Sequence, residues 1–374
     1  MKFLHISDLH LGRKLAERSL AADQSHILGV ILNIADIEKP DAVFIAGDIY
    51  DRPVPGAETV ALFDDFLCEL SRRDIETFAI SGNHDSAERL SFASRLIDPS
   101  GIHLSRIFDG TLQKYTVSDE YGEVGIYLLP FIRPANVRTF FPDAHINNST
   151  DAVRTVIEAA DIPEGERSIL IAHLFTAGVC GAGSESAVCV GGADITDTSV
   201  FGAFCYTALG HIHRPQNVTD RIRYCGTPMK YDFSESEQEK SITVGELAAD
   251  GSVVIRTIPL TPLHELIRVK GTFAELMDSE PTGDFVSVTL TDSDPIPDAS
   301  PRLRTVFRGL SELRYDNERT RLKTDPGTVE DETRSHIEIF AELYKLQNGS
   351  ELTGSRLDSA KSIISEVLEK EAGL

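Results

Sequence analysis

The stretch Lys2–His10 reads KFLHISDLH: a short apolar run, Lys2–Ser7, that ends in Asp8-Leu9-His10. The same pattern recurs four times. AVFIA (Ala42–Ala46) runs into Gly47-Asp48, and TFAIS (Thr77–Ser81) runs into Gly82-Asn83-His84-Asp85. SILIA (Ser168–Ala172) runs into His173, and YTAL (Tyr206–Leu209) runs into Gly210-His211-Ile212-His213. Short, mostly apolar runs bounded by Gly, Pro or Asp predict strands buried on both faces of an α/β sheet. GIYLL (Gly125–Leu129) is a further run of this kind. Ligands of open α/β sheets collect in the crevice outside the carboxyl ends of the strands. Five strand ends that carry Asp, Asn or His therefore predict one shared rim.

The spacing adds chemistry. Asp8 and His10, like His211 and His213, are two residues apart, so on extended backbone both side chains leave one face. Gly47, Gly82 and Gly210 each precede a candidate ligand, where a residue without Cβ allows a sharp turn and a close approach. The set is carboxylate, imidazole and amide, with no thiolate. It suits manganese, iron or zinc better than calcium, and manganese best matches hard phosphate oxygens. A lone Asp after a strand is ordinarily a turn or cap residue, and a lone His an ordinary surface or core residue. GNHD and GHIH are more specific, and the ordered set of five decides the reading.

Helices are expected at Ser25–Glu38, Ala57–Arg73, Ala87–Ile97 and Thr150–Ala160 between the runs, and Ile222–Pro259 reads as strands that complete a second sheet. After about residue 265 the pattern changes. Phe285–Thr291 alternates like a strand, Pro301–Gly309 reads as a helix and Glu312–Tyr315 as another strand. From Val329 onward two helices are expected. One face carries Phe340, Leu343, Tyr344 and Gln347, the other Leu357, Ala360, Ile364 and Val367, with Gly349 and Gly354 in the break. The expected organisation is 1–265, 266–327 and 328–374.

The 374 residues suffice for more than one domain, and 41% hydrophobic with 25% charged residues argues for a folded protein. No window reaches the roughly 18 apolar residues of a membrane span. The N-terminal apolar run is broken at once by His5, Asp8 and His10, unlike a secretory signal. Five cysteines (Cys68, Cys180, Cys189, Cys205, Cys225) without a C-x-x-C pair point to reduced thiols in a cytoplasmic protein. Thirty-six Lys and Arg against 59 Asp and Glu give a formal charge of −23. Such a chain is repelled by nucleic acid overall, so a phosphate-rich substrate needs a local basic or metal-bearing site.

The order DLH, GDIYDR, GNHD, AHL, GHIH resembles the calcineurin-like metallophosphoesterase superfamily. Longer stretches resemble one branch of it, the SbcD nuclease subunits of DNA repair complexes: HISDLHLGRKL, GDIYDRPVP, VGGADITDTSVFGAF, YTALGHIHRPQ and YCGTPMKYDFSESEQEKS. The resemblance continues through VTLTDSDPIPDA and LRYDN to ELYKLQNG, and so covers nearly the whole chain. It implies an α/β two-sheet sandwich flanked by helices, with a small α/β capping domain that contacts DNA and C-terminal helices. It implies two divalent ions, one held by Asp8, His10, Asp48 and His213, the other by Asp48, Asn83, His173 and His211. His84 would stand over the scissile phosphate. Some relatives carry a second histidine just after the GD motif, and here that position is Asp51.

The implied activity is double-strand exonuclease and single-strand or hairpin endonuclease, in DNA repair and recombination at the nucleoid. The implied partners are DNA, a second copy of the chain through helices near Ala57–Arg73 and Ala87–Ile97, and an SMC-like coiled-coil ATPase, SbcC, docked on the C-terminal helices. Arg13, Lys14, Arg52, Arg89, Arg133 and Arg214 lie near the motifs as candidate DNA phosphate contacts. Two other readings stay open: a phosphoesterase for nucleotides or phosphoproteins, and a non-enzymatic scaffold. The additional domain argues against the first of these, and the complete ligand set against the second.

Overall fold

Each of the short apolar runs forms a strand, and the reason is visible in alternate residues. In Ala42–Ala46 all five residues are buried. Phe44 faces one apolar layer, while its neighbours Val43 and Ile45 face another. A strand with apolar residues on both sides has no solvent face to place polar residues on.

The computed structural model describes residues 1–177, 195–317, 336–348 and 351–371. Cys180, Cys189, Val329 and Gly349 lie outside the described residues. The elements in order are β1 (Lys2–Ile6), α1 (Ala21–Glu38), β2 (Ala42–Ala46), α2 (Ala57–Ser71), β3 (Glu76–Ile80), α3 (Ala87–Leu90), α4 (Ser94–Ile97) and β4 (Ile102–Leu104). There follow β5 (Gln113–Asp119), β6 (Gly122–Leu129), α5 (Pro134–Phe140), α6 (Ser149–Ala159), β7 (Ser168–His173) and β8 (Tyr206–Gly210). Then come β9 (Gln216–Asn217), β10 (Ile222–Tyr224), β11 (Ser241–Leu247), β12 (Val253–Pro259), β13 (Leu266–Gly271), α7 (Phe273–Met277), β14 (Thr282–Leu290), α8 (Ala299–Leu303) and β15 (Phe307–Tyr315). The last described elements are α9 (His336–Asn348) and α10 (Ser355–Glu371). No helix among the described residues is long and apolar enough to cross a membrane.

Two six-stranded sheets run in the orders β12-β11-β1-β2-β3-β4 and β9-β10-β8-β7-β6-β5, and a three-stranded sheet runs β13-β14-β15. Within the first, β1 to β4 are parallel. Within the second, β6, β7, β8 and β10 are parallel. The two six-stranded sheets stack. Phe3, Phe44 and Phe78 from one meet Ile126, Ile171 and Tyr206 from the other. Outside the first sheet, Ile27 and Ile31 of α1 and Phe63 and Phe66 of α2 cover Leu4, Val43 and Ile45. Outside the second, Val137 of α5 and Val153 and Val156 of α6 cover Leu129 and Leu170. The result is the expected two-sheet sandwich between helices.

Two compact units can be distinguished. The larger comprises Met1–Val269, Ser279–Val288 and Ser300–Leu313, the smaller Lys270–Asp278, Thr289–Ala299 and Arg314–Leu374.

Three expectations need correction. Ala87–Ile97 is not one helix, because Ala93 adopts φ 60° and separates α3 from α4. The break turns Phe92 and Leu96 outward, each 81% exposed, so Leu96 is not packed on the sheet. The strands of Ile222–Pro259 do not all join the second sheet. Only β10 does; β11 returns antiparallel along the free edge of β1 and brings β12 with it. The helix expected over Pro301–Gly309 stops at Leu303, and Phe307–Gly309 already belong to β15.

Phe44→Ala removes a ring whose centroid lies 4.9 Å from that of Phe3, tilted 34° to it, in the layer between the sheets, and should cost about 3–5 kcal/mol of unfolding free energy. Phe92→Ala, at an exposed position, should stay within about 0.5 kcal/mol of wild type. Urea denaturation of both variants checks the layering.

Candidate metal centre

Parallel pairing sets the rim. The registers Ile6 to Ile45, Ala46 to Ile80 and Gly210 to His173 end the strands of each sheet at one level. Past the strands the chain bends through left-handed backbone at four non-glycine residues: Asp8 (φ 53°), His10 (φ 41°), Asp48 (φ 48°) and His211 (φ 98°). Such conformations cost of order 1–3 kcal/mol each and persist where surrounding structure imposes them. Here main-chain bonds do so: Asp8 N–H donates to Gly47 O at 2.9 Å, and His10 N–H to Asp48 O at 3.0 Å. Gly47 (φ 88°) leaves no room for a side chain, since a Cβ would lie 2.4 Å from His173 Nδ1. At Gly82 a Cβ would lie 2.1 Å from Asp48 Oδ1. The glycines before the candidate ligands are there because the ligands touch them.

All seven expected metal residues and His84 come together. Single donor atoms of Asp8, His10 and His213 lie within 4.8 Å of one another, as do those of Asp8, Asp48 and His173, and those of His10, Asp48 and His84. His10 Nε2 and His213 Nε2 face each other at 3.1 Å, with Asp48 Oδ2 3.7 Å from His10 Nε2. His173 Nε2 and His211 Nδ1 both donate to Asn83 Oδ1, at 3.0 and 2.9 Å. Asp48 Oδ2 is 3.4 Å from His173 Nε2. His84 is oriented otherwise. Its N–H donates to Asp48 Oδ1 at 2.8 Å and its Nδ1 to the Asp51 carbonyl at 3.0 Å.

Electrostatics follow from burial. Asp8 and Asp48 are almost inaccessible, at 0% and 2% exposure, and close together. Desolvation pushes the Asp8 carboxyl up, and the Asp48 charge pushes it further. Asp48 suffers the same desolvation, but the adjoining His173 and His10 imidazoles outweigh it and hold its carboxyl well below the usual range. His173 reverses the ordinary effect of burial: Asp48 and Asp8 raise it to about 9. Both its nitrogens donate, Nδ1 to Ala46 O at 2.8 Å, which agrees with an imidazolium. His10 and His211 are pushed down by burial, His211 to about 3.

The donor set fits divalent cations. Two buried carboxyl groups gather around the His173 imidazole, and the Nε2 atoms of two further imidazoles face each other beside them. Hard oxygens with borderline imidazoles suit manganese, iron or zinc.

Several supporting groups carried no signal of their own in the sequence. Asp85, the last letter of GNHD, accepts from the main-chain N–H of Gly82, Ile49 and Tyr50 at 2.9, 3.0 and 2.8 Å and ties two of the turns together. Burial raises it to about 6. Glu235 accepts from His213 Nδ1 at 2.9 Å and pairs with Lys240 at 2.8 Å. Gln24 donates to His10 O at 2.7 Å, and Ser7 Oγ donates to Asp8 Oδ2. Only long-range folding brings Glu235 and Gln24 here.

The basic candidates fall into two groups. Arg13 and Arg52 both flank the Asp51 carboxylate, at 3.4 and 3.7 Å. Lys14, Arg89, Arg133 and Arg214 are exposed, with the Arg133 guanidinium 5.7 Å from the Phe131 ring centroid.

The family model for calcineurin-like phosphoesterases matches residues 1–215, and that for the type 5 capsule protein repressor C-terminal domain matches 262–348. A curated relative from Staphylococcus epidermidis, the SbcD component of the nuclease SbcCD, is 27% identical over 382 residues, covering 99% of this chain and 100% of its own. That full-length match bears out the resemblance to the SbcD branch. Among solved structures, a dimetal phosphatase from Danio rerio is similar at 15% identity and TM-score 0.42, over 70% of this chain and 98% of that one. The phosphoesterase Yfce from E. coli is similar at 13% identity and TM-score 0.27, over 70% and 100%. With its first 215 residues matched and the motif residues gathered where the strands of both six-stranded sheets end, the chain belongs to the calcineurin-like phosphoesterase family.

Proposed function

We propose that this chain is a metal-dependent DNA nuclease that acts as double-strand exonuclease and as single-strand or hairpin endonuclease. The carrying observation is the convergence of Asp8, His10, Asp48, Asn83, His173, His211 and His213, with His84 beside them, at one rim. Asp8, His10, Asp48 and His213 would hold one cation; Asp48, Asn83, His173 and His211 would hold the other, with manganese the matching metal. When bound, such ions supply charge neutralisation at a phosphodiester and a nucleophile at neutral pH.

The side chains do the rest. Asp85 holds the Gly82 and Ile49–Tyr50 turns so that Asp48 and Asn83 keep their places. His84, fixed at Nδ1 by the Asp51 carbonyl, would present Nε2 to the substrate and give a proton to the departing sugar oxygen. Arg13, Lys14, Arg52, Arg89, Arg133 and Arg214 would position the DNA backbone around an otherwise acidic chain.

The relative's name, which makes it a component of the nuclease SbcCD, supports nuclease activity and a further subunit; DNA as the substrate and an SMC-like ATPase, SbcC, as that subunit follow the resemblance. In this reading 1–265 is the nuclease domain, 266–327 the DNA-contacting cap and 328–374 the ATPase-docking segment. A homodimer working at the nucleoid completes it. The competing small-substrate phosphoesterase is separated by one assay: the chain with manganese, with and without the ATPase, on linear duplex DNA and on a phenyl phosphodiester. DNA cleavage is expected. Turnover of the small ester with none of DNA in either setting would contradict the reading.

Asp48→Ala should lose ions and activity together. His84→Ala should keep its ions and lose about 10²–10⁴-fold in rate. Elemental analysis alongside DNA turnover checks this, and equal ion content in the two variants would refute the division of roles.

Ion binding should also depend on pH. Below about 9 the ion-free chain carries a proton on His173 that a cation must displace. Affinity for Mn²⁺ should therefore weaken about tenfold per pH unit between about pH 8 and about pH 7. Calorimetric titration at both pH values tests it, and an affinity that does not change would count against an imidazolium at His173.

A further inference from the structure

We propose that Asp51 is a positioning residue that orients the His10 imidazole for its cation, an inference that rests on the metal-centre reading above. An imidazole that offers one nitrogen to a cation must carry its proton on the other, and that N–H needs an acceptor. Two histidines of the centre have one: Glu235 behind His213, at 2.9 Å, and the Ala46 carbonyl behind His173, at 2.8 Å.

His10 is different. Its Nε2 faces His213 Nε2 and Asp48, which commits Nδ1 to the opposite side. Nδ1 is buried and has no hydrogen-bond partner among the described residues. The facing carboxylate is Asp51, with Oδ1 at 3.8 Å. That is too long for a hydrogen bond, and within reach of a rotamer adjustment of a side chain whose backbone is pinned. The pin is the Asp51 N–H, which donates to Leu11 O at 3.1 Å. Arg13 and Arg52 flank the same carboxylate, at 3.4 and 3.7 Å. Through its carbonyl, Asp51 also holds His84 Nδ1. One residue thus sets the ring planes of an ion ligand and of the substrate-side histidine. A histidine here, as in some relatives, offers the substrate a donor but gives His10 no carboxylate.

The test uses the full chain and Mn²⁺ binding by calorimetry, with electron paramagnetic resonance to follow the loading of each site. Asp51→Ala should weaken the site containing His10 and His213 by about 10–100-fold and leave the Asn83–His173–His211 site near wild type. Asp51→Leu, of similar size and without an acceptor, keeps the test valid should the alanine variant fold poorly and should show the same one-sided loss. Asp51→Glu should restore most of it. A merely structural role would weaken both sites together, and that result overturns the proposal. Unchanged affinities in both the alanine and leucine variants overturn it as well. A wild-type chain that binds no Mn²⁺ would instead overturn the metal-centre reading and this inference with it.

Discussion

Two carboxylates, Asp8 and Asp48, lie buried side by side at the edge of a stacked pair of sheets, and most of the surrounding structure answers that repulsion. Removing a carboxylate from water is costly unless charge or hydrogen bonds compensate it. Here the compensation is local and dense. The His211 main-chain N–H donates to both Asp8 oxygens at 3.0 and 3.1 Å, the His84 N–H serves Asp48, and the two carboxylates raise the His173 imidazole to about 9. A cluster so arranged gains from any divalent ion that replaces the proton on His173.

The fold supplies the means. Parallel strands end at one level, so residues from β1, β2, β3, β7 and β8 meet although they are far apart in the chain. The left-handed turns at Asp8, His10, Asp48 and His211 store strain that the two packed sheets can absorb, since the layer of Phe3, Phe44, Phe78 and Tyr206 leaves the strand ends little freedom. Behind the ligands stand a few fixed acceptors: Glu235, the Ala46 carbonyl, Asp85 and Asp51. Glu235, the Ala46 carbonyl and the Asp51 carbonyl fix the Nδ1 atoms of His213, His173 and His84, and Asp85 fixes the turns that carry Asp48 and Asn83.

Much of this is legible in the residues. A continuous apolar run of five that ends in Gly-Asp or Gly-Asn-His has few structural solutions, and β2 begins and ends where its sequence indicates. The glycines at 47 and 82 are legible too, as contacts that admit no Cβ. The helix break at Ala93 is not, because a left-handed alanine carries no local signal. Nor is the placement of β11, which pairs with β1 from more than 200 residues away, since its own alternation fits either sheet equally well. Glu235 sits inside a run of polar residues, FSESEQEKS, and only the tertiary fold singles it out from Glu237 and Glu239. Asp51 is visible as a departure from relatives, but its distance to His10 appears only in three dimensions.

The most direct test of the centre is anomalous diffraction at the manganese edge from crystals of the chain grown with Mn²⁺. Two peaks are predicted, one among Asp8, His10 and His213 and one among Asn83, His173 and His211, with Asp48 touching both. Peaks elsewhere, or none within bonding distance of Asp48, would contradict it.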